Sequence, residues 1–220
     1  MKILLTILSM SFIFGSKIKE EDIVEFLDAK YGGDTSTVND FLSDDFLHYN
    51  APFVGLGIKG NYVDGSILVT TVLNDSVLNY INIGDRIHEY NGKIVSKNGI
   101  KTNGAVGDLQ KLVITRNNDS LFSELNVPLL KLQVKENLDS YLKTIKNYSE
   151  LWYEYDFQIL DFIYKKEKVV VHYNWEGSLK KNGKVYFFTA IELLTFDKKS
   201  ELILKDETFW NELQFKSQFK

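Results

Sequence analysis

Two prolines, Pro52 and Pro128, divide the chain into stretches that follow different hydrophobic periods. Before the first and after the second, apolar residues recur at helical spacing and then alternate as strands do. Between them lie short apolar runs broken by Gly and Asn, with little helical period. Proline lacks a backbone donor and collects at linkers and strand edges, so this flanking pair marks the limits of an inserted unit. The expected organisation is a unit over residues 53–133 that interrupts a second one made of 17–52 and 134–220.

The outer unit reads as α+β. From Lys19 to Tyr31, Ile23, Phe26, Leu27 and Tyr31 share a helical face, with Glu20, Glu21 and Asp22 in the first turn, where they suit the helix dipole. Gly32 and Gly33 end that helix. A second short helix follows with Thr35 or Ser36 as cap and Val38, Phe41 and Leu42 inward, then a strand from Phe46 to Tyr49. After Pro128 the helical period returns over Val134 to Trp152, on Leu138, Tyr141, Leu142, Ile145 and Ser149.

Four strands come next. Tyr155, Phe157 and Ile159 share a face, and Val169, Val171, Tyr173 and Trp175 lie opposite Val170, His172 and Asn174. Val185 to Phe196 is long enough for a curved strand, and Leu202, Leu204 and Asp206 alternate with Glu201, Ile203 and Lys205. Turns at Lys181-Asn182-Gly183 and Asp197-Lys198-Lys199-Ser200 join them into an antiparallel meander.

Composition excludes several function classes. The formal charge is −4, and 26 basic residues, of which only Arg86 and Arg116 are arginine, are spread among 30 acidic ones. A nucleic-acid or anionic-membrane partner needs clustered cations, so neither is expected. The absence of cysteine removes disulfides, thiolate metal sites and a cysteine nucleophile. His48, His88 and His172 are far apart with no HExxH spacing, and there is no GxSxG or nucleotide-binding loop, so no metal and no cofactor are expected.

Residues Met1 to Ser16 run from Lys2 through an apolar stretch to Gly15 and Ser16, the order of a secretory signal. This predicts an exported protein, periplasmic or secreted, with no membrane span in its mature form.

The inserted stretch carries Val54-Gly55-Leu56-Gly57-Ile58, then Ile67 to Val72 with Leu73-Asn74-Asp75-Ser76-Val77, then Ile83-Gly84-Asp85-Arg86-Ile87 leading to Asn91-Gly92. In this order the set resembles a PDZ domain, a small β-barrel. The resemblance implies that Leu56, Gly57 and Ile58 bind a peptide's terminal carboxylate, within a peptide-binding set of Gly55, Leu56, Gly57, Ile58 and Lys59. A glycine-rich loop lets backbone N–H groups converge on an anion, and the strand behind it offers a free edge to an extended peptide. Asp85 and Asn91-Gly92 read as turn-forming residues. The family's second helix corresponds to Ser96–Leu109, where three glycines and two asparagines make a poor helix.

The outer unit, through Phe26-Leu27-Asp28-Ala29-Lys30-Tyr31, Phe41 to Phe46 and Val169 to Gly177, resembles the nuclear transport factor 2-like fold in its SnoaL-like branch. That resemblance implies a cone-shaped curved antiparallel sheet wrapped by helices, with a pocket at the wide end. Candidate pocket residues are Tyr49, Tyr173, Trp175, Glu192 and Asp206, with His48 and His172 as further titratable groups. Asp206 has the parity of Leu202 and Leu204, which marks it as the best buried acid.

The leading expectation is therefore a non-enzymatic adaptor that engages extended or C-terminal peptide segments, with no catalytic residue assigned. The alternative is a protein that binds a small apolar ligand, or an isomerase- or dehydratase-like one, using the outer unit's pocket. A homodimer formed through the exposed sheet face is a third reading.

Overall fold

The computed structural model describes residues 18–116 and 119–219; the segment from Met1 to Ser16, expected from sequence to be a secretory signal, lies outside them. In chain order the elements begin with helix α1 (Glu20–Gly32), helix α2 (Thr35–Phe41) and strand β1 (Leu42–Asn50). Then come β2 (Phe53–Gly55), β3 (Ile58–Val63), β4 (Ser66–Val72), a 3-10 turn (Asp75–Asn79), β5 (Arg86–Tyr90), β6 (Lys93–Ile94), β7 (Leu109–Thr115), β8 (Ser123–Pro128) and β9 (Leu130–Leu132). The chain closes with β10 (Lys135–Asn137), α3 (Leu138–Ser149), β11 (Glu154–Lys165), β12 (Lys168–Ser178), β13 (Val185–Phe196), β14 (Ile203–Trp210) and α4 (Glu212–Ser217).

Packing divides the chain into two compact units, Met1–His48 with Glu136–Lys220, and Tyr49–Lys135. The first is built on a six-stranded sheet in the order β10-β1-β14-β13-β12-β11. Its core is aromatic and aliphatic, with Phe26, Leu27, Val38, Phe46, Tyr141, Ile145, Tyr173, Trp175 and Leu194 among the buried members. Gly33, at φ 77°, gives α1 its left-handed stop. Asp34, rather than Thr35 or Ser36, caps α2 by accepting the Thr37 N–H at 3.1 Å. The third helix starts at Leu138, later than its apolar period suggests, because Asn137 caps it and β10 occupies the residues before it.

Along β12 every odd residue from Val169 to Gly177 is buried, and along β13 every even residue from Phe188 to Phe196. The last strand departs from simple alternation. Lys205 pairs with Thr195 but Ile203 pairs with Phe196, so one residue, Leu204, is extra on that strand. This bulge reverses the parity. Ile203 and Asp206 are buried together, while Leu202 and Leu204 are only partly so. Asp206 is thus buried through the bulge, and not through a shared face with Leu202 and Leu204.

The second unit holds a sheet whose main path is β3-β4-β5-β7-β8, with β6 paired to β5, and a separate β2-β9 pair. Its core gathers Leu56, Ile67, Val69, Val77, Ile87, Leu112, Ile114 and Leu129. Asp85 accepts the Asn82 N–H at 2.8 Å, and Asn91 and Gly92, both with positive φ, turn β5 into β6. No helix forms between β6 and β7.

Candidate functional site

The interior of the first unit holds a group of charged and hydroxyl side chains brought together from six elements. Lys30 and Tyr31 come from α1, His48 from β1, Tyr141 from α3, Tyr173 from β12, Glu192 from β13 and Asp206 from β14. Lys30 follows Phe26 by four positions and Leu27 by three, so it stands on the inward stripe of α1 where an apolar residue would ordinarily be. Its side chain is 11% exposed, and Glu192 and Asp206 are fully buried.

The Lys30 ammonium donates to Glu192 Oε1 at 2.8 Å and lies 3.5 Å from Asp206 Oδ2. That same Asp206 oxygen is 3.0 Å from His48 Nδ1 and accepts the Tyr141 hydroxyl at 2.9 Å. The Thr208 hydroxyl donates to Oδ1 at 3.3 Å. On the Glu192 side, Tyr173 donates to Oε2 at 2.8 Å, and Tyr31 and Tyr173 share a hydrogen bond of 2.6 Å. The His48 ring stacks on Tyr141, centroids 4.8 Å apart. Its Nε2 engages no group among the described residues, and the side chain is 7% exposed.

Burial opposes every charge here, and the pairings decide the outcome. For Asp206, burial works against the anion, but Lys30 first and then His48 outweigh it, so its acidity is well above that of an ordinary carboxyl. For Glu192, burial and the neighbouring Asp206 charge prevail over Lys30, and its pKa rises. For His48, burial favours the neutral ring, but Asp206 outweighs that by charge and hydrogen bond, and the pKa rises. Lys30 is likewise held cationic against burial, by Asp206 and then Glu192. Two carboxyls in one interior are therefore driven apart in acidity, because Asp206 has both Lys30 and His48 beside it while Glu192 has Lys30 and the opposing charge of Asp206. A fixed Nδ1 and an unengaged Nε2 let His48 give or take a proton there.

Of the residues proposed from sequence, Tyr173, Glu192 and Asp206 meet in this cluster, and His48 meets them. Trp175 is buried beside them, against Tyr31 and Phe188. Tyr49 follows His48 on β1, so it projects from the opposite face and is not a wall of this interior. His172 likewise points away from its buried neighbours Val171 and Tyr173. The interior is not an open pocket: Tyr173, Trp175, Glu192 and Asp206 are all fully buried. Lys30, Tyr31 and Tyr141 complete the site but were not among the candidates. The legible signal was Lys30, a cation on an apolar helical stripe. Among the described residues, no group of three His, Asp or Glu side chains could hold a metal ion.

In the second unit, Gly55, Leu56 and Gly57 are buried by their own chain. A Cβ on Gly57, which has φ 75°, would lie 2.6 Å from Val77 Cγ2, and one on Gly55 3.2 Å from the Phe53 ring. Ile58 is half-buried and Lys59 exposed, both on β3 at the edge of the sheet.

No protein-family model and no curated protein matches this sequence. Among solved structures, the chain is similar to a SnoaL-like polyketide cyclase candidate from Jannaschia sp. CCS1, at 7% identity and a TM-score of 0.45, over 92% of this chain and 96% of that one. It is also similar to a protein with a ketosteroid isomerase-like fold from Catenulispora acidiphila DSM 44928, solved with trimethylamine, at 7% identity and a TM-score of 0.46, over 91% and 93%. A third is an NTF2-like protein from Burkholderia pseudomallei K96243, at 11% identity and a TM-score of 0.43, over 88% and 91%. Likenesses at this level carry no residue role and no activity to this chain.

Proposed function

We propose that the first unit binds a small molecule and moves a proton on it, in an isomerase-like 1,3-shift beside a carbonyl group. The observation that supports this reading is the buried Asp206–His48 pair, with Nδ1 occupied and Nε2 unengaged. With the proton held at Nδ1, a neutral ring accepts a proton at Nε2 from the carbon next to a carbonyl. The resulting imidazolium, stabilised by Asp206, returns that proton to the third atom of the conjugated system. Atoms and charge balance without an oxidant, a reductant or a cofactor. Tyr141 and Lys30 keep the Asp206 carboxylate ionised and in place.

The test is proton NMR in D2O with a panel of α-protic and β,γ-unsaturated ketones. The expected result is α-carbon exchange or double-bond migration above the buffer rate for at least one of them. His48→Gln should lower that rate by roughly 100-fold or more, the usual share of a positioned acid–base group. Exchange that persists unchanged in His48→Gln would exclude the pair as the reacting groups.

A second reading concerns the unit Tyr49–Lys135, which we propose as a PDZ-like module that adds an extended peptide to β3. What favours it is the position of β3 at the sheet's edge directly after the Gly55–Gly57 loop, with Lys59 to Tyr62 exposed. Titration with a library of C-terminal peptides decides it. Binding is expected to be abolished by Gly57→Trp; a complete absence of binding by the natural chain, or binding indifferent to that change, removes this reading.

A further inference from the structure

At the aromatic end of the first unit, two tryptophans find no acceptor for their indole N–H among the described residues. Trp175 is fully buried and its Nε1 has no hydrogen-bond partner among the described residues. Trp152 Nε1 comes near the Tyr148 hydroxyl without closing a hydrogen bond. Native interiors leave few buried donors unpaired, so a pair of them side by side calls for an explanation. The two rings meet edge to face at 4.7 Å. Gly177 makes room for that contact, since a Cβ there would lie 2.3 Å from Trp175 and 3.0 Å from Trp152.

Phe215 packs beside both indoles. Its ring centroid lies 6.2 Å from that of Trp152, 6.1 Å from Trp175, 5.4 Å from Phe188 and 5.3 Å from Trp210. A benzyl group fills volume but accepts no conventional hydrogen bond. Its carrier, α4, has six residues, too few to persist alone in water. The segment is latched by the Gln218 side chain, which accepts the Phe187 N–H at 3.1 Å and donates to the Phe187 carbonyl at 2.8 Å. The Lys184 ammonium also donates to the Gln218 carbonyl, and Phe219 stacks on Tyr186 at 4.2 Å. These latch bonds are exposed, as expected of a segment that opens without unfolding the rest.

We propose that Phe215 stands in for a ligand, and that the natural occupant of this chamber is a flat aromatic molecule with a hydrogen-bond acceptor that displaces residues 212–219 and takes the Trp175 and Trp152 N–H groups. The chamber adjoins the charged cluster through Tyr31, whose ring is 5.9 Å from Trp175 and whose hydroxyl bonds Tyr173. The inference names the ligand class for the proton-transfer reading and rests on it for that chemistry, but the binding claim stands on different residues.

The test is fluorescence titration of the full chain with 2-acetylnaphthalene and with 2-isopropenylnaphthalene, which has nearly the same shape but no carbonyl. The natural chain should bind the ketone about fivefold more tightly, the factor of one net hydrogen bond. That preference should disappear in Trp175→Phe and shrink in Trp152→Phe, the second of which alters a less buried site. Gln218→Ala opens the latch without creating a core cavity, and should tighten both probes about threefold or more. Equal binding of the two probes by the natural chain, a preference that survives both tryptophan changes, or an unaltered affinity in Gln218→Ala would overturn the proposal. A ketone preference with no proton exchange would sink the catalytic reading alone. Exchange without that preference would sink this one alone.

Discussion

Lys30→Ala is expected to lower stability at neutral pH by about 3–5 kcal/mol, the cost of stranding buried partners of a broken ion pair. Lys30 is the cation shared by Glu192 and Asp206, both fully buried, and its removal leaves their repulsion opposed by His48 and the hydroxyls of Tyr141, Thr208 and Tyr173. Urea unfolding measured by near-UV circular dichroism reads the loss directly. The loss should shrink below about pH 5, because the variant's carboxyls take up protons there and shed their charge. Lys30→Met should behave alike, which separates charge from side-chain volume. A loss below about 1 kcal/mol, the range of an exposed pair, would mean that water already screens the cluster.

Asp206→Asn should have the second large effect, a fall of roughly 100- to 10,000-fold in proton transfer. Asparagine keeps the shape but removes the anion that raises the His48 pKa against burial and stabilises the imidazolium once it forms. In the natural chain the His48 ring should titrate above 6.5, the ordinary imidazole value; in the variant burial, joined by the Lys30 charge, outweighs Glu192 and the midpoint should drop below it. Proton NMR of the ring Cε1–H, assigned through His48→Gln, follows both. A midpoint identical in the two proteins would show that the carboxylate does not govern the ring.

The same groups set the pH profile of stability. Because the folded pKa of His48 is raised, its contribution is complete below 6.5 and fades as pH rises through the folded value. Asp206, whose folded pKa is depressed, contributes above 3.8 and loses that contribution as pH falls through its folded value. Glu192 runs the other way from Asp206: its pKa is raised, so its contribution is present below 4.5 and fades as pH rises. The His48–Asp206 interaction is therefore fullest between 3.8 and 6.5.

Local patterns in the chain foretold several elements closely. The stripe of Ile23, Phe26, Leu27 and Tyr31 with its glycine stop is α1, and the alternation from Val169 to Trp175 is the buried face of β12. Asp206 was legible as a buried acid for a reason that did not hold, since its parity is set by the Leu204 bulge. Tyr49 was misplaced because its ring suits a pocket wall, while strand parity next to His48 turns it to the other face. Trp152 and Phe215, remote in sequence, could not be read as neighbours at all.

The chain alone determined where helices and strands form and which side of most strands faces inward, because those follow from steric preferences and periods that act over a few residues. Only the tertiary structure decided that Lys30 meets Glu192 and Asp206, which lie 162 and 176 positions further along. It also decided which of the two carboxyls is the stronger acid. Those outcomes depend on distances of a few ångströms across packed elements in a medium of low polarity, and no local period in the sequence records such distances.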